Sequence, residues 1–574
     1  MRTSFFFLSV SLLLSIGFCS CQLAGQAVVQ PPADRIHLSQ AGYSLGGTKK
    51  AVILDGKPGP FFVISVAGDT AFSGKIGPAL LWESAAQWAA TADFSEWNEA
   101  GEYRLSVPQV GDSELFSIQE DANLMVARSL IRSLYFQRSS QALTEEFAGE
   151  WARGAGHPDT EVITHPSAST SARPSGSTAA YPGGWYDAGD YGKYTGPTAF
   201  VTWSLLHLLE LGPKWKALSL NIPESQNQVP DVLDEAMVGL QYLLSLQDTT
   251  GAVPHKLTAL HHAQLVMPEG DQDARYLIGM STASTLTFVA ATAQASRILR
   301  AYEADFPGLA DRCLSASTLA WQWCIAHPDL KFKNPSDVST GEYKDEFLED
   351  EWAWAALELW LTTGDKQYRQ LDRLFQVVQG RIPFYGDASW KAMLSLALHR
   401  DRLTAAEQGQ WREQCLWRSE KMKGQARFNA YQVPLGMKEE DFNWGSNAIH
   451  ARMGLWYLMS NVFVPKADFT TEAESVGEYL LGKNPLDLCF ITDLGSRFPL
   501  NIHHRPSRAD GVALPVPGLM AGGPQDVVKL QDCEVYPSKY PALRYLDEWC
   551  SYSTNEVAIN WNANAILLFA WLGE

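Results

Sequence analysis

The chain has 574 residues, 46% hydrophobic and only 19% charged, enough to bury a large core and more than one domain usually holds. Its 64 acidic and 45 basic residues leave a formal net charge of −19 and a pI near 5.1, which excludes nucleic acid and anionic membrane surfaces as favoured partners, because phosphate binding needs basic patches. A neutral polymer meets no such objection, and 20 Trp and 20 Tyr are a ready supply of flat faces, although most Trp on helices is simply core.

Met1-Arg2, an apolar run from Phe5 to Phe18 and Cys19-Ser20-Cys21 read as a secretory leader, the run being too short to span a bilayer. The pattern resembles a bacterial lipoprotein signal, with Cys21 as the lipid attachment residue and Cys19 second, although Phe18 stands where that pattern usually has Leu. On that reading residues 1–21 are the leader and 22–34 a tether, and the protein is exported and lipid-anchored in the cell envelope, periplasm or outer membrane. Ordinary cleavage and release is the competing reading. No later segment has the apolar length of a membrane helix, so any membrane contact runs through the anchor.

From residue 35 to 119 the pattern is short β-rich runs at Lys50 to Leu54, Phe61 to Val66, Ala90 to Phe94 and Tyr103 to Val107. Turn signals such as Asp55-Gly56-Lys57-Pro58-Gly59 separate them, and this spacing predicts a β-sandwich. It shows no exposed aromatic row that argues for sugar binding.

From residue 120 to the end the periodicity is helical, with starts near Ala122, Thr198, Asp231, Ser281, Leu309, Tyr343, Lys366, Ala388, Ala405, Trp444, Thr471 and Asn555. About twelve helices without intervening strands suit a two-layer toroid of helical hairpins. The unusual residues collect in the long loops 153–197, 249–280 and 483–553, where sites are commonly built on rigid scaffolds.

The first of these loops ends in Gly183-Gly184-Trp185-Tyr186-Asp187-Ala188-Gly189-Asp190-Tyr191-Gly192-Lys193-Tyr194. Asp187 and Asp190, three apart among glycines and aromatics, share one small volume; a helix cap alone needs only one of them. Two carboxylates so close must titrate apart. Near the C-terminus, Tyr545-Leu546-Asp547-Glu548-Trp549-Cys550-Ser551-Tyr552-Ser553-Thr554-Asn555-Glu556-Val557-Ala558 places Glu556 at a helix start with apolar neighbours. Such a carboxyl keeps its proton above the usual range of about 4.3, as a general acid must. The alternative is a Glu that merely complements the helix macrodipole.

The Asp-Ala-Gly-Asp loop, the 545–563 stretch and Thr492-Asp493-Leu494-Gly495-Ser496-Arg497-Phe498-Pro499-Leu500-Asn501-Ile502-His503-His504-Arg505 together resemble the signatures of glycoside hydrolase family 9, in that family's order. Cys489 and Ile502 depart from its usual residues without touching the chemistry. Gln40-Ala41-Gly42-Tyr43 and Ala100-Gly101-Glu102-Tyr103 resemble the immunoglobulin-like domain of one branch. The resemblance implies a mainly α fold, an (α/α)6-barrel catalytic domain over 120–574 preceded by an immunoglobulin-like β-sandwich over 35–119 that braces it. It implies hydrolysis of β-1,4-glucosidic bonds with inversion: Glu556 as acid, Asp190 as base, Asp187 holding the water, His503 and Arg505 on sugar hydroxyls, and Asp547 supporting the site more than moving protons. Trp185, Tyr552 and Trp561 are weaker candidates for binding sugar, each equally readable as core, and His255 lies in a loop that could reach the cleft.

No cofactor is implied. The cysteine and histidine zinc site of some relatives looks absent, since 153–180 holds His157 and His165 but no Cys, and the His261-His262 pair has no metal-ligand company. Glu269-Gly270-Asp271-Gln272-Asp273 could hold a structural calcium or stand as a solvated turn. The remaining cysteines form neither a framework nor a CxxC site, and a single Cys533–Cys550 bridge stays open. An endo-acting glucanase on a β-glucan leads. An exo-acting β-glucosidase or cellodextrinase, including one acting on aminosugar oligosaccharides, follows, and a non-catalytic carbohydrate-binding protein is the remote rival.

Overall fold

A computed structural model describes residues 34–379, 386–436, 439–465, 468–526 and 532–574. The leader, Cys21 and all but the last residue of the tether lie outside them.

Ten strands open the described chain: β1 (Ile36–His37), β2 (Tyr43–Ser44), β3 (Lys50–Leu54), β4 (Pro60–Ser65), β5 (Thr70–Lys75), β6 (Leu80–Trp82), β7 (Gln87–Asp93), β8 (Gly101–Val107), β9 (Gly111–Asp112) and β10 (Phe116–Gln119). One sheet runs β1-β3-β7-β6 and the other β2-β10-β8-β4-β5, with β9 paired to β8. Pairing is antiparallel except β2 on β10, where Tyr43 faces Ile118. Alternate residues of the two inner faces, Ala51, Ile53, Phe61, Val63, Leu105, Phe116 and Ile118, are sealed between the sheets. Val52, Trp82, Ala85 and Ala89 instead join the core of the helical part. Polar ties flank that seam: Gln40 N–H donates to Leu481 O at 2.8 Å, Thr48 N–H to Glu474 Oε2 at 2.8 Å, and Lys50 Nζ to Gln432 Oε1 at 2.6 Å.

Among the described residues twelve helices of eight residues or more follow: α1 (Ala122–Gln137), α2 (Thr195–Leu211), α3 (Asp231–Leu246), α4 (Thr282–Leu299), α5 (Leu309–Ala326), α6 (Glu349–Thr363), α7 (Leu371–Val378), α8 (Ser389–Leu398), α9 (Ala405–Ala426), α10 (Ser446–Phe463), α11 (Thr470–Leu480) and α12 (Ile559–Leu572). The even-numbered helices form an inner ring, each packed on the next, and α12 closes it on α2. The odd-numbered ones lie outside. The difference is written in their sequences. α12 is buried at nearly every position, whereas α9 buries only Trp411, Cys415, Arg418, Ser419, Met422 and Ala426, one stripe at helical spacing. α9 starts on a capping box in which Thr404 Oγ1 accepts from Glu407 N–H and Glu407 Oε2 accepts from Thr404 N–H.

Two expectations need correction. The helical region does contain strands: β11 (Val162–Thr164), β12 (Thr178–Ala179), β13 (Lys193–Tyr194), β14 (Pro254–Thr258) and β15 (Tyr276–Met280) form a sheet ordered β12-β11-β15-β14-β13, and β13 and β15 lead directly into the inner helices α2 and α4. The helix expected from Tyr343 begins at Glu349, and Tyr343 is a loop residue with φ of 44°. Cys533 and Cys550 are bridged, and Cys313, Cys324, Cys415 and Cys489 are buried thiols. No helix among the described residues is long and apolar enough to cross a membrane.

Candidate active site

The loops that feed the N-termini of the inner helices meet at one rim. Asp187 and Asp190 precede α2, Tyr343 precedes α6 and Glu556 precedes α12, so the closure of α12 on α2 brings the two ends of the catalytic sequence together. The junction is stitched by backbone. Ile559 N–H donates to Asp187 O at 2.8 Å, His503 pairs with Glu556 in a parallel bridge, and Arg505 N–H donates to Gly189 O at 3.1 Å.

Asp187 and Asp190 differ in their partners. Tyr343 OH donates to Asp187 Oδ2 at 2.6 Å, while Asp187 Oδ1 is buried without a protein partner. Burial pushes the Asp187 carboxyl up to about 8 against that hydrogen bond, and the charge of Asp190 adds to the rise. Asp190 lies 3.2 Å from His262 Nδ1. Burial alone would raise it too. The hydrogen bond and charge of His262, with Arg505 and the Gly192 N–H, outweigh burial and hold Asp190 below its ordinary value. The pair therefore holds one ready base beside one carboxyl that retains its proton.

Glu556 is partly open to the cleft and is held well above the usual carboxyl range by desolvation, then by the charge of Asp190 and, once it ionises, that of Asp187, against Arg505 and the Gly189 N–H. It keeps a proton to give. His503 Nδ1 lies 2.7 Å from Trp549 O; a carbonyl only accepts, so Nδ1 carries the hydrogen and Nε2 is the free lone pair of the neutral ring. Trp549 also stacks on that ring at 4.2 Å. Burial lowers the His503 pKa, with Arg505 adding to the fall. Arg505 spends NH1 on Gly189 O at 2.9 Å and Nε on Ala263 O at 3.0 Å.

Asp547 is a loop clasp. Its carboxylate accepts from Leu500 N–H (2.7 Å), Asn501 N–H (2.8 Å) and Asn555 Nδ2 (3.0 Å), holding the His503 strand against the segment that carries Glu556. Tyr552 is half-buried at the rim, 5.5 Å from Trp444 and 6.0 Å from His503 between ring centres.

Three sugar-binding candidates are overturned by burial. Trp185 is fully enclosed, donating Nε1 to Glu235 Oε1 at 2.7 Å within a network shared with Arg138, and Gly239 packs against its ring. Trp561 is walled in by Gly445 and Gly522. His255 is stacked 3.9 Å from Phe332, pushed down to about 3 by burial and held between Ser281, Ser284 and the carbonyl of Glu342. It braces the loop that presents Tyr343 through the Glu342 carbonyl. The aromatic content of the motif is structural in these places, because the loop needs a floor.

Two residues of the site escaped the sequence. Tyr343 stood in a stretch read as helix, and its left-handed backbone, uncommon for a bulky side chain, carries no compositional mark. In the sequence His262 stands out only as half of a His-His pair without metal-ligand company.

Asp271 of the acidic turn is engaged by His157 Nε2 at 3.0 Å and by Asp273 N–H at 3.1 Å, and His165 faces Ser167 and Asp337. Among the described residues no group of three His, Cys, Asp or Glu side chains could hold a metal ion.

The family model for glycosyl hydrolase family 9 matches residues 125–569, and that for the cellulase N-terminal ig-like domain matches 32–112. A xyloglucan-specific endo-beta-1,4-glucanase of Bacteroides ovatus is 33% identical over 560 residues, covering 94% of this chain and 93% of that protein. Endoglucanase D of Acetivibrio thermocellus is 29% identical over 551 residues, covering 94% and 83%. A solved Bacteroides ovatus GH9 structure superposes with a TM-score of 0.86 at 32% identity, covering 94% of this chain and 99% of that one.

Proposed function

Because the chain belongs to glycosyl hydrolase family 9, we propose that this glycoside hydrolase is an endo-acting β-1,4-glucanase that inverts the anomeric carbon it attacks. The observation that carries the reading is the meeting of Glu556 with Asp187 and Asp190 at one rim, where Ile559 N–H donates to Asp187 O at 2.8 Å and His503 bridges Glu556, with burial raising Glu556 and His262 lowering Asp190.

Glu556 gives its proton to the glycosidic oxygen as the bond to C1 breaks. Asp190 takes a proton from the water that attacks C1 from the opposite face, so the step consumes one water and leaves the acid charged and the base neutral until they re-equilibrate. Inversion needs the two carboxyl groups roughly 6.5 to 9.5 Å apart, with room for that water. Asp187 anchors the water, and His503 Nε2 and the remaining donors of Arg505 take sugar hydroxyls. Tyr552 bounds the sugar at the rim.

The substrate we assign is a soluble β-1,4-linked glucan, such as xyloglucan, mixed-linkage glucan or carboxymethylcellulose; the named activities of the two relatives support that class. The leader and Cys21 support export and lipid anchoring, which membrane fractionation of wild type and Cys21→Ser tests: a soluble wild type would overturn it. The activity test follows viscosity and released sugars on xyloglucan, barley β-glucan, carboxymethylcellulose and cellohexaose, with Glu556→Gln alongside. A fast viscosity fall with mixed oligosaccharides, lost by at least about 100-fold in the variant, is expected. Steady release of one short sugar without viscosity loss would overturn endo action.

A further inference from the structure

Loop 259–275 lies across the site and is tied down at four points. Ser339 N–H donates to Leu260 O at 2.8 Å, His261 Nδ1 faces Ser339 Oγ at 2.9 Å, Arg505 Nε donates to Ala263 O at 3.0 Å, and Tyr191 OH donates to Val266 O at 2.6 Å. Two adjacent histidines thus diverge, His261 to the neighbouring loop and His262 to Asp190 Oδ2 at 3.2 Å. The His262 side chain is 45% exposed, so packing does not require it there; Asp190, at 9%, is what it covers. Since a carboxylate only accepts, Nδ1 is the donor in either charge state of the ring.

We propose that His262 is a positioning residue of this site: it fixes the rotation of the Asp190 carboxylate from the solvent side and holds it ionised in acid, as Tyr343 fixes Asp187. This rests on the functional reading above.

The groups facing Asp190 are His262, Arg505, Asp187, Glu556, Lys256, Tyr194 and His503. Of the basic groups among them, His262 is in direct contact with Asp190 Oδ2. A donor held 3.2 Å from Asp190 Oδ2 favours the ionised form of that carboxylate over the protonated one. His262 therefore widens the working range on its acid side.

The test is the pH profile of kcat/KM on a soluble β-glucan for wild type, His262→Ala and His262→Gln. Loss of a half-exposed ion pair should move the acid limb of the alanine variant upward by about one pH unit, with the alkaline limb, set by Glu556, unmoved. Glutamine keeps a neutral donor, so its plateau should fall less than that of alanine while its acid limb still moves. Raising the salt concentration should shift the wild-type acid limb toward that of the variants. Superimposable acid limbs in all three proteins would overturn the proposal, as would a plateau loss with both limbs in place, the mark of a merely structural role. An inactive wild type would instead overturn the functional reading itself.

Discussion

Gly189 sits against the backbone of His503 so tightly that a β-carbon on it would lie 1.9 Å from the His503 carbonyl oxygen. This contact joins the loop of the base to the strand that pairs with the acid. Gly189→Ala must push the two apart. The expected result is loss of kcat/KM by at least about 100-fold, since misplacement of about 1 Å costs that much, with helix content unchanged by circular dichroism. Wild-type activity in the variant would show that the junction yields.

Asp187 makes the site costly to hold. A carboxyl raised to about 8 in the fold, from an ordinary value near 3.8, binds its proton more tightly folded than unfolded. Its contribution to stability is therefore full below about pH 4 and is lost as the pH rises towards 8. Asp187→Asn removes that penalty while abolishing activity. Thermal unfolding at matched scan rates should find the variant several degrees more stable than wild type at pH 8, with the gap closing near pH 4. A gap that does not depend on pH would contradict the assignment.

The Cys533–Cys550 bridge adjoins Trp549, whose carbonyl and ring both hold His503. Opening a loop of this size releases on the order of 3 kcal/mol of chain entropy to the unfolded state and frees Trp549 to move. Dithiothreitol should lower kcat/KM several-fold and lower the unfolding temperature. Cys533→Ser should match the reduced enzyme and be insensitive to the reagent. Equal activity in the oxidised and reduced forms would separate the bridge from His503.

Much of this was legible in the residues, and what was not has physical causes. Helices such as Asp231–Leu246 and Leu309–Ala326 start where their periodicity does, because each must bury a face and no other period would bury it. The rim sheet was invisible: β13 is two residues long, and β14 is buried at every position, so neither alternates. Asp187, Asp190 and Glu556 announced themselves by residue type in unlikely company. Trp185, Trp561 and His255 misled for the same reason, since an aromatic side chain suits a sugar and a core equally well and the sequence does not say which way it faces. His262 needed the fold, because its partner lies on another loop.

The closing contact of α12 on α2 also dictates when the enzyme comes into being. The base is made in the first half of the chain and the acid near its end, and nothing short of the finished ring opposes them. A chain still on the ribosome, its sandwich and first hairpins already folded, holds Asp187 and Asp190 over an empty place. Such long-range closure folds slowly and late. Activity is thus a property of the completed molecule alone, and a chain cut before its last helix is as inert as one that lacks its first.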